Sequence, residues 1–266
     1  MDILHIIILA ILQGLTEFLP ISSSGHLILL PQIINWKDQG LAFDVAVHVG
    51  SLLAVLLYFR HDLKLLLTSW LLSCKTKQLT NESKLVWAIG FGTIPVGLVG
   101  LTISMYGWEE QLRSPIIIAS TTILFGLLLW LADMSGNKRR DEFSLTWKDV
   151  LLIGLAQAIA LIPGTSRSGI TMTAALFLGL NRQAAAKFSF LLAIPVIILA
   201  GASETITLLN QDTIVDWNVL WLAVIFSALS AYLCIKIFIN LLDRIGMLPF
   251  ALYRLGLGGV LLFWMM

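Results

Sequence analysis

The amino-acid sequence predicts an all-α polytopic membrane protein, built as an inverted repeat with six transmembrane helices and two re-entrant helix-loop-helix hairpins. Three observations predict it. Of the 266 residues, 58% are hydrophobic and only 12% are charged, about half the charge that a soluble domain of this size carries. Apolar stretches of roughly 20 residues, long enough to cross a bilayer, recur along the chain. Two other apolar stretches are broken near the middle by Pro, Gly and hydroxyl residues. Such backbone survives at membrane depth only where protein or a water-filled cavity satisfies it.

The expected spans cover about 41–59, 86–106, 114–134, 185–205, 217–240 and 248–266. The broken stretches are 1–34, interrupted by Pro20-Ile21-Ser22-Ser23-Ser24-Gly25-His26, and 149–180, interrupted by Pro163-Gly164-Thr165-Ser166-Arg167-Ser168-Gly169. Residues 62–74 are apolar but too short to span, so they are expected at the interface or capping a helix end. The first residues lack a basic segment and a small-residue cleavage site, so no removable signal peptide is expected. Seventeen Lys and Arg against 16 Asp and Glu give a net charge of +1, which excludes a nucleic-acid binder working through a basic surface. Cys74 and Cys234 show no metal or disulfide spacing and read as packing residues. No nucleotide-binding or zincin motif occurs.

The two broken stretches are related. At an offset of 144, Gln13 falls on Gln157, Ser22 on Ser166, Ser24 on Ser168 and Gly25 on Gly169. At 139, Gly40-Leu41, Ala46 and Leu52-Leu53-Ala54 fall on Gly179-Leu180, Ala185 and Leu191-Leu192-Ala193, and Trp87 falls further on, at Trp221. This implies one membrane domain of two repeats, about 1–134 and 149–266, joined by a cytoplasmic linker at about 135–148. Each repeat holds a hairpin and three spans, and because three is odd the second must insert upside down, as in folds whose broken helices meet at the midplane. Thirteen Lys and Arg fall on one side of this topology and two, Lys37 and Arg113, on the other. The first side is therefore read as the cytoplasm. The outer side takes Glu109, Glu110 and the acidic loop Gln211-Asp212 to Asp216.

Ionisable groups within apolar segments point to function. Gln13 and Glu17, four apart, share a helix face and lead into Ser22, Ser23, Ser24 and His26. One reading of the serines is a capped helix start; another is a polar ligand bound together with Glu17 and His26. Arg167 is the only charge in an apolar run of about thirty residues and is flanked by Gly164, Thr165, Ser166, Ser168 and Thr171. A guanidinium among hydroxyls and close backbone amides suits a phosphate; it could equally pair with a buried carboxylate to hold the halves together. If the loops meet, Arg167 lies near Glu17 and His26. Asp44 and His48 share a face and read either as support for the site or as a headgroup anchor. His5 and Arg254 read as snorkelling anchors, Trp36, Trp108, Trp217 and Trp264 as an aromatic belt, and Gly97, Gly100, Gly256, Gly258 and Gly259 as helix contacts.

The strings Gln13-Gly14-Leu15-Thr16-Glu17-Phe18-Leu19-Pro20-Ile21-Ser22-Ser23-Ser24-Gly25-His26-Leu27 and Pro163 to Thr171 resemble the two signatures of the bacterial undecaprenyl pyrophosphate phosphatases of the bacitracin-resistance type. The resemblance covers essentially the whole chain. It implies hydrolysis of the isoprenoid diphosphate to the monophosphate carrier of peptidoglycan synthesis, in the bacterial inner membrane, with a site open to the outer face and a Mg²⁺ or Ca²⁺ requirement. Position by position, it implies Glu17 and Gln13 as metal-holding residues, and Gln13 stands where a second carboxylate is common. Ser22, Ser24, Gly164, Thr165, Ser166, Ser168 and Thr171 become substrate-binding residues, with Arg167 on the diphosphate. His26 is implied as base or nucleophile, with Ser23, activated by His26, as the rival nucleophile. The competing class is an inverted-repeat transporter or flippase of polyprenyl phosphate. The sequence also leaves open whether two copies form a homodimer.

Overall fold

The structure, a computed structural model, describes residues 3–34, 36, 39–112, 114–135, 138–210 and 216–265. Lys37, Arg113, Gln211 and Asp212 of the expected outer side lie outside the described residues, as do the side chains of Glu109, Glu110 and Trp264.

The first broken stretch folds as α1 (Ile3–Phe18) and α2 (Ser23–Ile33), followed by the span α3 (Leu41–Tyr58), the helix α4 (Arg60–Thr76) and the span α5 (Asn81–Tyr106). A short α6 (Glu109–Leu112) precedes the span α7 (Pro115–Ser135). The second broken stretch is α8 (Trp147–Ile159) and α9 (Arg167–Phe177), and α10 (Arg182–Leu209), α11 (Trp217–Ile245) and α12 (Leu248–Met265) complete the chain. Five helices, α3, α5, α7, α10 and α11, are long and apolar enough to cross a membrane. The 18-residue α12 is the sixth expected span. The protein is a multi-pass membrane protein.

Local chemistry sets the helix starts. Thr80 and Ser83 form a reciprocal capping box at α5, and Thr146 and Asp149 form one at α8. Burial alone would raise the Asp149 carboxyl, but hydrogen bonds from Arg140 and Thr146 outweigh it and hold the group below its ordinary range. The amphipathic α4, expected not to span, lies against α5, with Trp70 edge-on to Trp87 at 5.8 Å.

The inversion is visible in the contacts. α1 packs along α11 of the other half, while its counterpart α8 packs along α5. Lys187 near the start of α10 bonds Asp62 just past the end of α3 at 2.6 Å and Glu142 at 3.1 Å, so the paired α3 and α10 run antiparallel. At the same end Asp133 takes Arg182 at 2.7 Å and Lys138 at 2.9 Å. The basic residues therefore gather at one end of the bundle. The second hairpin enters from that end and the first from the opposite one.

Close helix approach depends on glycines other than those expected. A Cβ on Gly14 would meet Ser230 Oγ, Ser227 O and, at 2.8 Å, Ala231 N of α11; Gly50 and Gly126 are similarly tight. Of the expected positions, Gly258 alone is tight against α7, whereas Gly97, Gly256 and Gly259 face open space. Spacing reports small residues but not which face they occupy. Gly14→Ala is expected to force α1 off α11 at a cost of about 1–3 kcal/mol. The check is the Tm of purified protein, and an unchanged value would refute the close approach. Cys234 is buried as expected, but Cys74 is exposed, because the short α4 leaves one face uncovered.

Candidate active site

Each hairpin turns on a serine held in the left-handed region. Ser22 has φ 74° and Ser166 has φ 69°, positions related by the offset of 144. Each accepts a hydrogen bond from the amide of a glycine three residues on, Gly25 at 3.4 Å and Gly169 at 3.1 Å. Each also lies beside the next serine but one, Ser24 at 3.4 Å and Ser168 at 3.3 Å. Non-glycine residues in this region cost on the order of 1–3 kcal/mol each. Both loops are therefore locally strained copies of one design, held by their surroundings.

Much of that support comes from Arg254. Expected as a snorkelling anchor, it is instead 0% exposed and donates to the carbonyls of Pro20 at 3.3 Å, Gly164 and Thr165 at 2.9 Å each, Thr122 at 3.0 Å and Thr121 at 3.4 Å. A single guanidinium thus ties the first loop, the second loop and α7 together. All three of its nitrogens meet carbonyl dipoles, which is why the residue does not reach for the interface. Ser168 Oγ adds a bond to Leu19 O at 2.9 Å, and Thr121 Oγ1 bonds Pro163 O at 2.6 Å.

The loops converge on Glu17, which is 8% exposed. Arg167 Nη2 donates to Oε1 at 2.9 Å. Ser23 Oγ donates to Oε2 at 2.7 Å, and Gln13 Nε2 reaches the same oxygen at 2.9 Å. Ser23 and Arg167 are themselves 144 apart, so equivalent positions of the two loops bind the two oxygens of one carboxylate. The guanidinium is thus paired with a buried carboxylate across the halves, and it also lines a cavity. That cavity, of about 120 Å³, is bounded by Glu17, His48, Arg167, Val196, Ile197, Ala200, Gly201 and Glu204.

The remaining expected residues separate into groups. Ser22 and Ser166 are helix caps, Ser168 joins the loops, and Thr171 bonds Ser189 Oγ at 2.7 Å. Ser24 is exposed, while Thr165 is buried with its hydroxyl unpartnered. At Gly164 a Cβ would meet Thr121 and Ile118 of α7, so its role is to let the loop dock. His26 makes both of its nitrogen contacts outside the Ser23–Glu17 pair: its Nδ1 bonds Ser22 O at 2.7 Å and its Nε2 bonds Tyr253 Oη at 2.5 Å. The imidazole nearest the carboxylate is His48, with Nε2 3.8 Å from Glu17 Oε2. His48 was legible only as one of two readings, and Glu204 carried no motif at all. His5, expected as an anchor, stacks on Trp36 at 3.7 Å.

Two hairpins that bring a cation and a hydroxyl onto one buried carboxylate, within a bundle of long apolar helices, define an integral membrane protein with a polar site between its loops. Residues 6–260 match the family described as bacitracin resistance protein BacA. The chain is 60% identical over 263 residues to a protein of Nitrosococcus oceani named undecaprenyl-diphosphatase, covering 99% of each. It is 57% identical over 265 residues to undecaprenyl-diphosphatase 2 of Stutzerimonas stutzeri, covering 98% of each, and 54% identical over 263 residues to the undecaprenyl-diphosphatase of Campylobacter concisus, covering 99% of each. The chain belongs to the bacitracin resistance protein BacA family.

Proposed function

We propose that this protein hydrolyses undecaprenyl diphosphate to undecaprenyl phosphate and inorganic phosphate, returning the lipid carrier to peptidoglycan synthesis and so conferring bacitracin resistance. The observation that carries the reading is the placement of Ser23 and Arg167 on opposite oxygens of Glu17. Phosphoryl transfer needs positive charge at the transferring group and an aligned nucleophile, and these two residues supply them. Arg167 holds the terminal phosphate. Ser23 Oγ attacks its phosphorus as the bond to the bridging oxygen breaks and the lipid monophosphate departs. The hydroxyl proton passes to Glu17 Oε2 and returns to Ser23 when water cleaves the phosphoserine, releasing inorganic phosphate. His26, engaged by Tyr253 and the Ser22 carbonyl, positions α2 rather than activating Ser23.

A divalent ion suits the donors present. Gln13 is fully buried and its Oε1 has no partner. A buried orphan amide oxygen next to a carboxylate is a hard-oxygen donor set of the kind Mg²⁺ or Ca²⁺ takes, completed by substrate phosphate oxygens. Gln13 and Glu17 would hold the ion, and its charge would stabilise the diphosphate during transfer. The site is read as open to the outer face, because the cavity is lined by residues 196–204 of α10, remote from the basic end at Arg182. An apolar groove beside it, lined by α3 and α10, suits the isoprenoid tail.

The test is phosphate release from C55 diphosphate by purified protein in detergent, with no gradient present. Release is expected to stop with EDTA, to return with Mg²⁺ or Ca²⁺, and to fall at least 10²-fold in Ser23→Ala. Acid quenching is expected to trap a phosphoserine. Release that persists in EDTA would remove the metal from the reading, and a near wild-type rate in Ser23→Ala would remove the serine. Flipping in liposomes without phosphate release would favour the carrier class instead.

A further inference from the structure

We propose that α4, with its cap Lys77 and the first turn of α5, binds the headgroups of anionic phospholipids in the surrounding bilayer. The surface lies at the basic end of the bundle and does not depend on the hydrolase reading. The cations at that end fall into two sets. Lys138, Arg140, Arg182 and Lys187 are committed: they pair with Asp133, Asp149, Asp62 and Glu142 and hold helices and linker together. Lys64, Lys75, Lys77 and Lys84 are exposed, and among the described residues none of them meets a carboxylate. Of the two acids between Arg60 and Lys84, Asp62 is taken by Lys187, so Glu82 alone offsets these lysines and Arg60.

The helix suits the boundary between acyl chains and headgroups. Leu66, Trp70 and Ser73, at i, i+4 and i+7, form the stripe of α4 turned toward the protein; Leu66 and Ser73 are buried, and Trp70 meets Trp87 of α5. On the opposite side Lys64, Thr68, Leu71 and Lys75, at i, i+4, i+7 and i+11, are all exposed. Leu65, Leu67, Leu71 and Leu72 are each more than half exposed, on a 17-residue helix too short to span. Water would leave those leucines wet, and the hydrocarbon core would strand the lysines. At the boundary, leucines enter the acyl region while lysine stems reach up to the phosphates. The aromatic side chains mark the same level. Trp87 stacks on Phe91 at 5.9 Å, and Phe91 meets Trp147, the first residue of α8, edge-on at 5.6 Å. A run of rings thus crosses α4, α5 and α8 at the basic end, and tryptophans gather where the headgroups are. Uncommitted lysines at that depth face lipid phosphates, and only an anionic headgroup brings net charge to complement them.

The experiment measures the Kd of full-length protein in neutral detergent for dioctanoyl phosphatidylglycerol, dioctanoyl phosphatidylcholine and glycerophosphate, which carries the headgroup charge without the chains. Wild type is expected to bind the anionic lipid at least about tenfold more tightly than either of the others, the scale that several surface lysines supply. Most of that margin is expected to vanish as salt rises from roughly 50 to 200 mM. Lys64→Gln, Lys75→Gln and Lys77→Gln together are expected to bring the two lipids within about twofold of each other. Arg139→Gln, Lys236→Gln and Arg244→Gln, which remove as much charge from other exposed positions, are expected to keep the margin. Because all six side chains are exposed, both triple variants are expected to keep the wild-type Tm. A wild type that does not distinguish the two lipids would overturn the proposal, and that comparison needs no variant. Equal losses in the two triple variants would reduce the effect to net charge and overturn it too. Glycerophosphate binding as tight as that of the anionic lipid would make the lysines a site for soluble anions instead.

Discussion

Arg167→Ala is expected to lower kcat/KM for the lipid diphosphate by about 10³-fold, the scale on which a positioned arginine acts in phosphoryl transfer. The same substitution carries a second cost. Glu17 is buried and would lose its cationic partner, and breaking one side of a buried ion pair costs about 3–5 kcal/mol. Activity could therefore fall because the site has lost its cation or because the halves have loosened. The double variant Arg167→Ala with Glu17→Gln separates the two. Without the carboxylate no unpaired charge remains, so Tm is expected to recover toward wild type while hydrolysis stays at background. Arg167→Lys keeps the charge but not the planar fork and is expected to fall between. A single Arg167→Ala variant with near wild-type turnover would remove this residue from the phosphate site.

Arg254→Met is expected to have the largest effect on stability. The substitution strands the carbonyls of Pro20 and Thr165 and leaves that of Gly164 only the Thr122 hydroxyl at 3.3 Å. Each buried group left without a partner costs about 1–3 kcal/mol, so the sum is a large part of the whole stability of an ordinary domain. Tm is expected to drop by more than roughly 10 °C at the usual few degrees per kcal/mol, with loss of monodisperse protein. Arg254→Lys, with one compact ammonium, cannot reach carbonyls on two loops and a helix at once and is expected to rescue only in part. Wild-type Tm in Arg254→Met would show that the loops hold each other without it.

These two arginines mark what the sequence made legible. Arg167 sits inside a motif, where Pro and Gly break a helix and hydroxyls crowd a lone charge, so local chemistry alone placed it at a buried site. Glu17 was legible for the same reason. Arg254 lies within an apolar helix near the chain end, where a charge ordinarily reaches for headgroups. Its partners are carbonyls of loops more than eighty residues away, and no periodicity reports them. The two histidines invert in the same manner. His26 belongs to a motif but its nitrogens are taken by Tyr253 and Ser22, while His48 enters only because α3 packs beside α1 and α10. Helical spacing tells which residues share a face, not what that face meets.

The equivalence of Ser23 and Arg167 also bears on how such a site can arise. Two identical half-length chains, paired upside down, would bring the same residue to the carboxylate twice, either two hydroxyls or two guanidiniums. Neither pair is both attacking group and counter-ion. Only after the halves were encoded separately within one gene could a single position take different values in its two copies. The symmetry is broken also at Glu17 and His26, which fall on Leu161 and Ile170 at the same offset, while the flanking serines and glycines match and bend the backbone alike. Specialisation in this protein lies in a few positions that differ between two loops whose backbones bend alike.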